Sequence, residues 1–219
     1  MDSETTARLL LRGTPEWRRA FLGMSGAGLI LFAAAIGYLM APSAAVLGER
    51  LSELTCLQLA FTPERASAVL ASFTAAERVA IGELLVPADL VFALGYGLLN
   101  TGLLGLIAQK LPASWQPVAR LAVWAPLAAA GFDACEDVLL YVINAGELPP
   151  AALLSFGAGA AASLKYLLLA VVTPAFGVVA AIKALATDRG IGTIILAALV
   201  MLSVVPLFVR TAQQVPACF

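Results

Sequence analysis

Long apolar runs separated by short polar segments dominate this chain. Five of the runs are long enough for a helix to cross the ~30 Å hydrocarbon layer of a bilayer. They extend over about Ala20–Met40, Leu84–Ala108, Leu121–Asn144, Ala151–Leu185 and Ile191–Phe208. The pattern predicts an all-α, polytopic transmembrane helical bundle of about five spans, with residues 1–219 forming a single membrane domain.

Residues 43–83 are the only extended polar-rich region of the sequence. Thr62-Pro63-Glu64 has the pattern of a helix start, because threonine is a good N-cap and proline is favoured at the first helical position. Thr74 and Glu77 have the spacing of a capping box. We therefore expect residues 43–83 to form a small extramembrane helical cap between the first two spans.

Small residues interrupt the first apolar run at Gly23, Ser25, Gly26 and Gly28. A glycine-rich nucleotide loop would follow a strand, and no strand is predicted before these residues. Small residues on a membrane helix allow a second helix to approach closely. The run therefore predicts tight helix packing and no nucleotide site.

The composition agrees with a membrane protein and gives no reason to expect a nucleic-acid-binding function. Hydrophobic residues make up 61% of the 219 residues and charged residues 12%, against about 25% charged residues in soluble domains. The chain is therefore predicted to be an integral membrane protein in contact with membrane lipids. Its net charge of −1 and the absence of a basic run give no reason to expect a nucleic-acid partner.

The sequence contains no histidine. This excludes His-ligated haem, His-containing zinc sites and Ser-His or Cys-His catalytic pairs. Cys56, Cys135 and Cys218 are too far apart for a Cys-x-x-Cys motif. No flavin, nucleotide or iron–sulfur signature is present either, so the motifs predict neither a cofactor nor a metal.

The third apolar run carries three carboxylates, Asp133, Glu136 and Asp137. Residues spaced i, i+3 and i+4 lie on one stripe of a helix. Each ionisable residue inside a membrane helix costs at least ~2.5–3.5 kcal/mol on insertion scales. The stripe therefore requires partners, protons or a bound cation.

The depth of the polar residues follows from the ~1.5 Å rise per helical residue. Asp133 lies near the midplane of its run, and Glu136 and Asp137 lie ~5–8 Å further out. Asp89 of the second run, which is antiparallel, falls ~10 Å from the midplane on the same side. Lys165 of the fourth run lies near the level of Asp133. These five residues, together with Asn100 of the second run, are the predicted polar centre.

Two uncharged residues, Asn100 and Tyr141, are expected to add hydrogen bonds to this centre. One lysine cannot neutralise four carboxylates in a low-dielectric site. Some of the acids are therefore protonated, or Arg78 or Arg210 reaches into the site, or a cation binds there.

A purely structural interpretation stays open for the same residues. Asp133 and Lys165 would then form an ion pair that locks two helices together, with Glu136 and Asp137 turned towards an outer crevice. Asp89 lies near the start of its helix, where the helix dipole stabilises a negative charge.

The orientation follows from the distribution of Lys and Arg over the loops, since positive charges concentrate on the cytoplasmic side. With the N-terminus inside, the inner segments hold Arg8, Arg12, Arg18, Arg19, Lys110, Arg120, Lys183 and Arg189. The outer segments hold Arg50, Arg65, Arg78 and Arg210. The count favours a cytoplasmic N-terminus and an external C-terminus.

In this orientation Cys56 and Cys218 both face an oxidising compartment, where a disulfide between them can form. Two unpaired cysteines are the alternative. Cys135 lies within the third run and is expected to be an inert core residue.

Four short motifs follow one another along the chain, and the resemblance to a known family rests on their order. They are Gln58-Leu59-Ala60-Phe61-Thr62-Pro63-Glu64-Arg65, Asp89-Leu90-Val91-Phe92, Phe132-Asp133-Ala134-Cys135-Glu136-Asp137 and Ser163-Leu164-Lys165. Over roughly residues 57–170 the chain resembles an uncharacterised family of small bacterial polytopic membrane proteins, whose central motif reads Asp-x-x-Glu-Asn. This chain has Asp137 where that motif has asparagine. The resemblance implies a bacterial inner-membrane location and a site at these residues, and it implies no activity.

Three functions are consistent with the sequence. The first is binding or transport of a cation, a proton or a cationic or amphiphilic small molecule at the acidic site. The second is a membrane-embedded, lipid-modifying enzyme in which Glu136 or Asp133 acts as general acid or base. The third is a structural accessory subunit. Five spans are few for a self-contained transporter, so transport would require a homo-oligomer or a larger membrane complex.

Overall fold

The computed structural model describes residues 14–146 and 151–214, and in these ranges the chain is helical without strands. Four helices are long and apolar enough to cross a membrane. These spans are Pro15–Gly37, Ala75–Ala108, Ala113–Ala145 and Ala152–Thr187. The prediction of an all-α membrane-spanning bundle is confirmed. The fifth predicted span corresponds to a shorter apolar helix, Ile191–Pro206.

The spans and the segments between them comprise eleven α-helices in the described ranges. They are α1 Pro15–Ala34, α2 Ala41–Leu47, α3 Leu51–Gln58, α4 Pro63–Ser72, α5 Ala75–Ala80, α6 Val86–Ala108, α7 Gln116–Ala122, α8 Ala125–Ala145, α9 Ala152–Tyr166, α10 Thr173–Thr187 and α11 Ile191–Gln214. Short π-helical segments join α1 to α2 (Ala35–Met40), α5 to α6 (Ile81–Leu85) and α9 to α10 (Leu167–Val172). The second and fourth spans therefore each consist of two α-helices joined by a wider turn.

Prolines explain where two of these wider turns lie. Pro87 and Pro174 each lie two residues after the end of a π-helical segment. Proline has no N–H to donate and its ring crowds the preceding turn, so the helix before it departs from regular α geometry. One wider turn lies just before Asp89 and the other just after Lys165, so both flank the predicted polar centre.

The two predicted helix starts in the polar region are present. The Thr62 side chain accepts a hydrogen bond from the Arg65 backbone N–H at the start of α4. Thr74 and Glu77 form the complete capping box at the start of α5. Because α5 runs on into α6, residues 75–83 of the predicted cap are continuous with the second spanning helix.

The rest of the predicted cap, α2 to α4, packs onto the ends of the spans. Leu57, Ala66 and Leu70 of the cap form one apolar cluster with residues of α8 and α9. Phe61, between α3 and α4, has a φ of 53°, which is uncommon for a bulky residue. Its ring packs against Gly159 of α9, where an added Cβ would lie 2.8 Å from the ring. The cap is therefore seated closely on the fourth span.

The opposite end of the bundle is held by a polar turn between α10 and α11. Asp188 accepts hydrogen bonds from Lys110 (2.9 Å), Thr193 (2.7 Å) and the Gly190 N–H (2.9 Å). The bond from Lys110, with the other two, lowers the pKa of Asp188 below its ordinary value. This turn ties the loop after the second span to the start of α11.

Candidate functional site: a buried acidic cluster

Two helices bring the predicted acids together. Asp89 comes from α6, and Asp133 and Asp137 come from α8. One carboxylate oxygen from each of the three lies within 4.8 Å of those of the other two. The spacing of one helical turn between Asp133 and Asp137 puts both on the face of α8 that meets α6. The predicted meeting of Asp89 with this stripe is thus present in the structure.

Lys165 of α9 supplies the positive charge that was expected near Asp133. Its Nζ lies 2.7 Å from Asp133 Oδ1 and 2.6 Å from Glu136 Oε2. The lysine and both carboxylates are buried. Lys165 is the only positive side chain within ion-pair distance of the four acids in the described part of the chain. One ammonium group therefore faces four carboxylates.

Two buried carboxylate oxygens, one of Glu136 and one of Asp137, have no hydrogen-bond partner among the described residues. Glu136 is 0% exposed, and its Oε1 has no hydrogen-bond partner there. Asp137 is 2% exposed, and its Oδ2 likewise has none. Leaving a buried polar atom without a hydrogen bond costs about 1–3 kcal/mol, and more for a charged group. These atoms therefore mark the part of the cluster where the protein alone does not supply the partner.

Tyr96 is a site residue that the sequence reasoning missed. Its hydroxyl donates a 2.8 Å hydrogen bond to Asp133 Oδ2, and the residue is 1% exposed. A signal was available, because Tyr96 lies two helical turns after Asp89 and one turn before Asn100, on the same helix face. Asp133 is therefore held from both sides, by Tyr96 of α6 and by Lys165 of α9.

Three of the expected partners form no hydrogen bond to the acids in the described part of the chain. Asn100 is buried, but its Nδ2 donates to the Tyr96 carbonyl of its own helix, 2.9 Å away. Tyr141 is 50% exposed. Arg78 does not reach the acids; its guanidinium donates to the side-chain and backbone oxygens of Asn144. The Arg210 side chain lies outside the described residues. Asn100, Tyr141 and Arg78 therefore do not relieve the excess of negative charge.

The Arg78–Asn144 contact closes the bundle at the cap end. Asn144 Nδ2 returns a 2.8 Å hydrogen bond to the Arg78 carbonyl, so the two residues are bonded reciprocally. Asn144 lies two helical turns beyond Asp137, and a Cβ on Gly82 would lie 3.3 Å from Asn144 Nδ2. The α5 and α8 helices therefore meet tightly between the acidic cluster and the cap.

Two of the three cysteines lie in the described part of the chain, and they differ in state. Cys56 is disulfide-bonded, while Cys218, its predicted partner, lies outside the described residues. Cys135 is a free thiol and is exposed on the bundle surface, so the expectation that it is a core residue was wrong. It lies between Asp133 and Glu136 in sequence but on an exposed face of α8, because successive helical residues are about 100° apart.

An apolar groove of about 440 Å³ opens at the surface between the third and fourth spans. It is lined by Val118, Leu121, Ala122, Trp124, Ala125, Ala128, Leu168 and Val172. None of the four acids is among these lining residues. The groove is therefore a surface separate from the acidic cluster.

The fold and site define an integral membrane helical bundle that encloses an acidic cluster with a single lysine. Comparison with protein-family models, with curated proteins and with solved structures finds no match to this chain. The site's own geometry therefore carries the functional argument.

Proposed function

We propose that this protein binds a cation, protons included, at the buried cluster of Asp89, Asp133, Glu136, Asp137 and Lys165. The observation that carries the proposal is the imbalance of charge. Four carboxylates face one ammonium group, and buried oxygens of Glu136 and Asp137 lack hydrogen-bond partners among the described residues. Bound cations or protons would supply what these oxygens lack.

The imbalance also argues against a purely structural role for the cluster. A structural ion pair that only locks two helices is stable when its charges and lone pairs are fully satisfied. Asp133 meets that condition through Lys165 and Tyr96. Asp137 does not, although it is buried equally deeply. A structural subunit would gain stability if Asp137 were an uncharged residue.

Asp89 gives the cluster a route of access. It is partly exposed, whereas the other three acids are buried. It also lies one turn beyond the π-helical segment Ile81–Leu85, on the cap side of the cluster. We propose that a cation enters beside Asp89, the least buried of the four acids. The excess of Lys and Arg at the opposite end predicts that the cap end lies on the external side of a bacterial inner membrane.

The test compares the thermal stability of the solubilised wild-type protein with that of Asp137→Asn across a panel of conditions. The panel contains chlorides of sodium, potassium, magnesium, calcium, choline and tetraphenylphosphonium, and a series of pH values. A ligand that binds only the native state raises its stability. We expect at least one cation, or acidification, to raise the melting temperature of the wild type and to have a smaller effect on Asp137→Asn.

The matched control is Glu83→Gln, which removes an exposed carboxylate from the same spanning helix as Asp89. It should respond to the panel as the wild type does. If wild type and Asp137→Asn respond identically to every condition, the cluster is structural and the proposed function is wrong.

A further inference from the structure

We infer that Asp89, Asp133 and Asp137 form a binding site for one hard divalent cation of the Mg²⁺, Mn²⁺ and Ca²⁺ class. The inference deepens the proposed function and rests on it, because it names the kind of cation that the acidic cluster takes. The geometric basis is that the three carboxylates each direct one oxygen into a common space, with all three oxygens within 4.8 Å of one another.

The separations suit a shared ion. Oxygens bound to Ca²⁺ at about 2.3–2.6 Å can lie at most about 5 Å apart on opposite sides of the ion. The three aspartate oxygens fall within that limit. A quaternary ammonium group is too large to lie between the three oxygens, so the spacing favours an atomic ion over an organic cation.

Asp137 provides an observation beyond the presence of acids. It is 2% exposed, it directs an oxygen into the cluster, and its Oδ2 has no hydrogen-bond partner in the described residues. Lys165 cannot take this place, because its ammonium group contacts Asp133 and Glu136. A buried carboxylate that has an unpartnered oxygen and lies beside two other carboxylates can bind a metal ion, and it is unfavourable while it stays ionised with no cation.

The contacts of Asp133 leave it able to bind an ion as well. Oδ1 accepts from Lys165 and Oδ2 accepts from Tyr96. A carboxylate has about four lone-pair positions, so two hydrogen bonds leave two positions unused. Such hydrogen-bonded carboxylates are common among metal ligands, where the hydrogen bonds fix the orientation of the carboxylate.

The donor set and the charge both select a hard divalent ion. All three ligands are carboxylate oxygens, which suit Mg²⁺, Ca²⁺ and Mn²⁺, whereas softer metals prefer imidazole or thiolate. The chain has no histidine, and the Cys135 thiol is exposed on another face of α8. With all four acids ionised, Lys165 and a divalent ion leave one negative charge, while a monovalent ion leaves two.

The experiment titrates Mn²⁺ into chelator-treated, solubilised protein and follows free Mn²⁺ by electron paramagnetic resonance. We expect the wild type to bind one Mn²⁺ per chain, with Ca²⁺ or Mg²⁺ displacing it. Asp137→Asn should weaken Mn²⁺ binding at least about tenfold, since it removes a ligand charge. Glu83→Gln should bind as the wild type does.

Asp89→Asn provides the second variant in case Asp137→Asn does not fold. Asp89 is partly exposed, so its substitution disturbs the packing less, and it should also weaken Mn²⁺ binding at least about tenfold. Gel filtration of each variant establishes that it is folded. The inference is overturned if the wild type leaves the Mn²⁺ signal unchanged, or if the folded aspartate variants bind Mn²⁺ as tightly as the wild type.

The two proposals fail in distinguishable ways. If Mn²⁺ does not bind but a monovalent cation or acidification still stabilises the wild type more than Asp137→Asn, the divalent site is wrong and the proposed function stands. If neither Mn²⁺ nor any condition of the thermal panel separates wild type from Asp137→Asn, both proposals are wrong.

Discussion

Glu136 and Asp137 are adjacent in α8 but face different helices, and this difference determines which acid contacts the lysine. Glu136 turns towards α9 and contacts Lys165, while Asp137 turns towards α6 and meets Asp89. Successive helical residues are about 100° apart, so neighbours in sequence face different helices. The lysine therefore neutralises one side of the stripe, and the negative charge in excess lies on the other.

Tyr96 keeps Asp133 in place between these two sides. Replacing Tyr96 by phenylalanine removes the hydrogen bond to Asp133 Oδ2 and leaves the ring packing almost unchanged. We expect the free energy of unfolding to fall by about 0.6–1.7 kcal/mol, which extends from the average to the upper end for hydrogen bonds between membrane helices. Thermal unfolding of the solubilised protein measures the change.

Tyr141→Phe is the matched control for this substitution. Tyr141 lies in the same bundle but is half exposed and makes no hydrogen bond among the described residues. Its replacement should leave the stability within about 0.5 kcal/mol of the wild type. Equal effects of the two substitutions would show that the Tyr96 hydroxyl contributes nothing specific to the site.

At the scale of the elements, the site depends on how closely α1 and α6 approach each other. A Cβ on Gly95 of α6 would lie 2.6 Å from the backbone N of Phe32, and a Cβ on Gly28 of α1 would collide with the backbone of Leu99. Lipid surrounds a membrane bundle, so van der Waals contact between small residues is a main source of helix association. The same α6 carries Asp89 and Tyr96, so its position fixes two site residues.

Substitution of Gly28 tests this packing directly. Gly28→Leu forces α1 away from α6, and we expect it to lower the free energy of unfolding by at least about 1–3 kcal/mol, as overpacking generally does. Gly26→Leu is the control, because no atom of a neighbouring element lies within 4 Å of a Cβ at that position. Both variants are compared by thermal unfolding, and a tolerated Gly28→Leu with a damaging Gly26→Leu would contradict the packing described here.

At the scale of the whole molecule, the two ends of the bundle differ. The cap and the Arg78–Asn144 contact lie at one end, and the Lys110–Asp188 ion pair lies at the other. The Lys and Arg count predicts that the second end lies in the cytoplasm. In that orientation we expect the acidic cluster to lie towards the external side.

Labelling of introduced cysteines tests this orientation. Ala71 of the cap and Ala186 at the end of α10 are both exposed. In a Cys135→Ala background, a membrane-impermeant maleimide applied to intact cells should label Ala71→Cys and should label Ala186→Cys only after the membrane is permeabilised. The background protein without a new cysteine is the control, and the reverse labelling pattern would invert the assignment.

Much of the fold was predictable because its causes are local. The length of an apolar run sets where a spanning helix can form, and the Thr62 and Thr74 starts depend on residues three or fewer positions away. The fifth predicted span differs, because the apolar part of α11, Ile191–Pro206, is shorter than the other four spans. The stripe on α8 followed from helical periodicity alone.

The sequence by itself thus determined a helical membrane protein with acids and a lysine at similar depth. Only the tertiary structure decided which groups meet: Lys165 with Glu136, Tyr96 with Asp133, and Asp89 with Asp137. Depth along a helix follows from counting residues, whereas the rotation of each helix against its neighbours depends on packing across the whole bundle. That rotation turned Tyr96 into the site, Cys135 out of it and Arg78 towards Asn144.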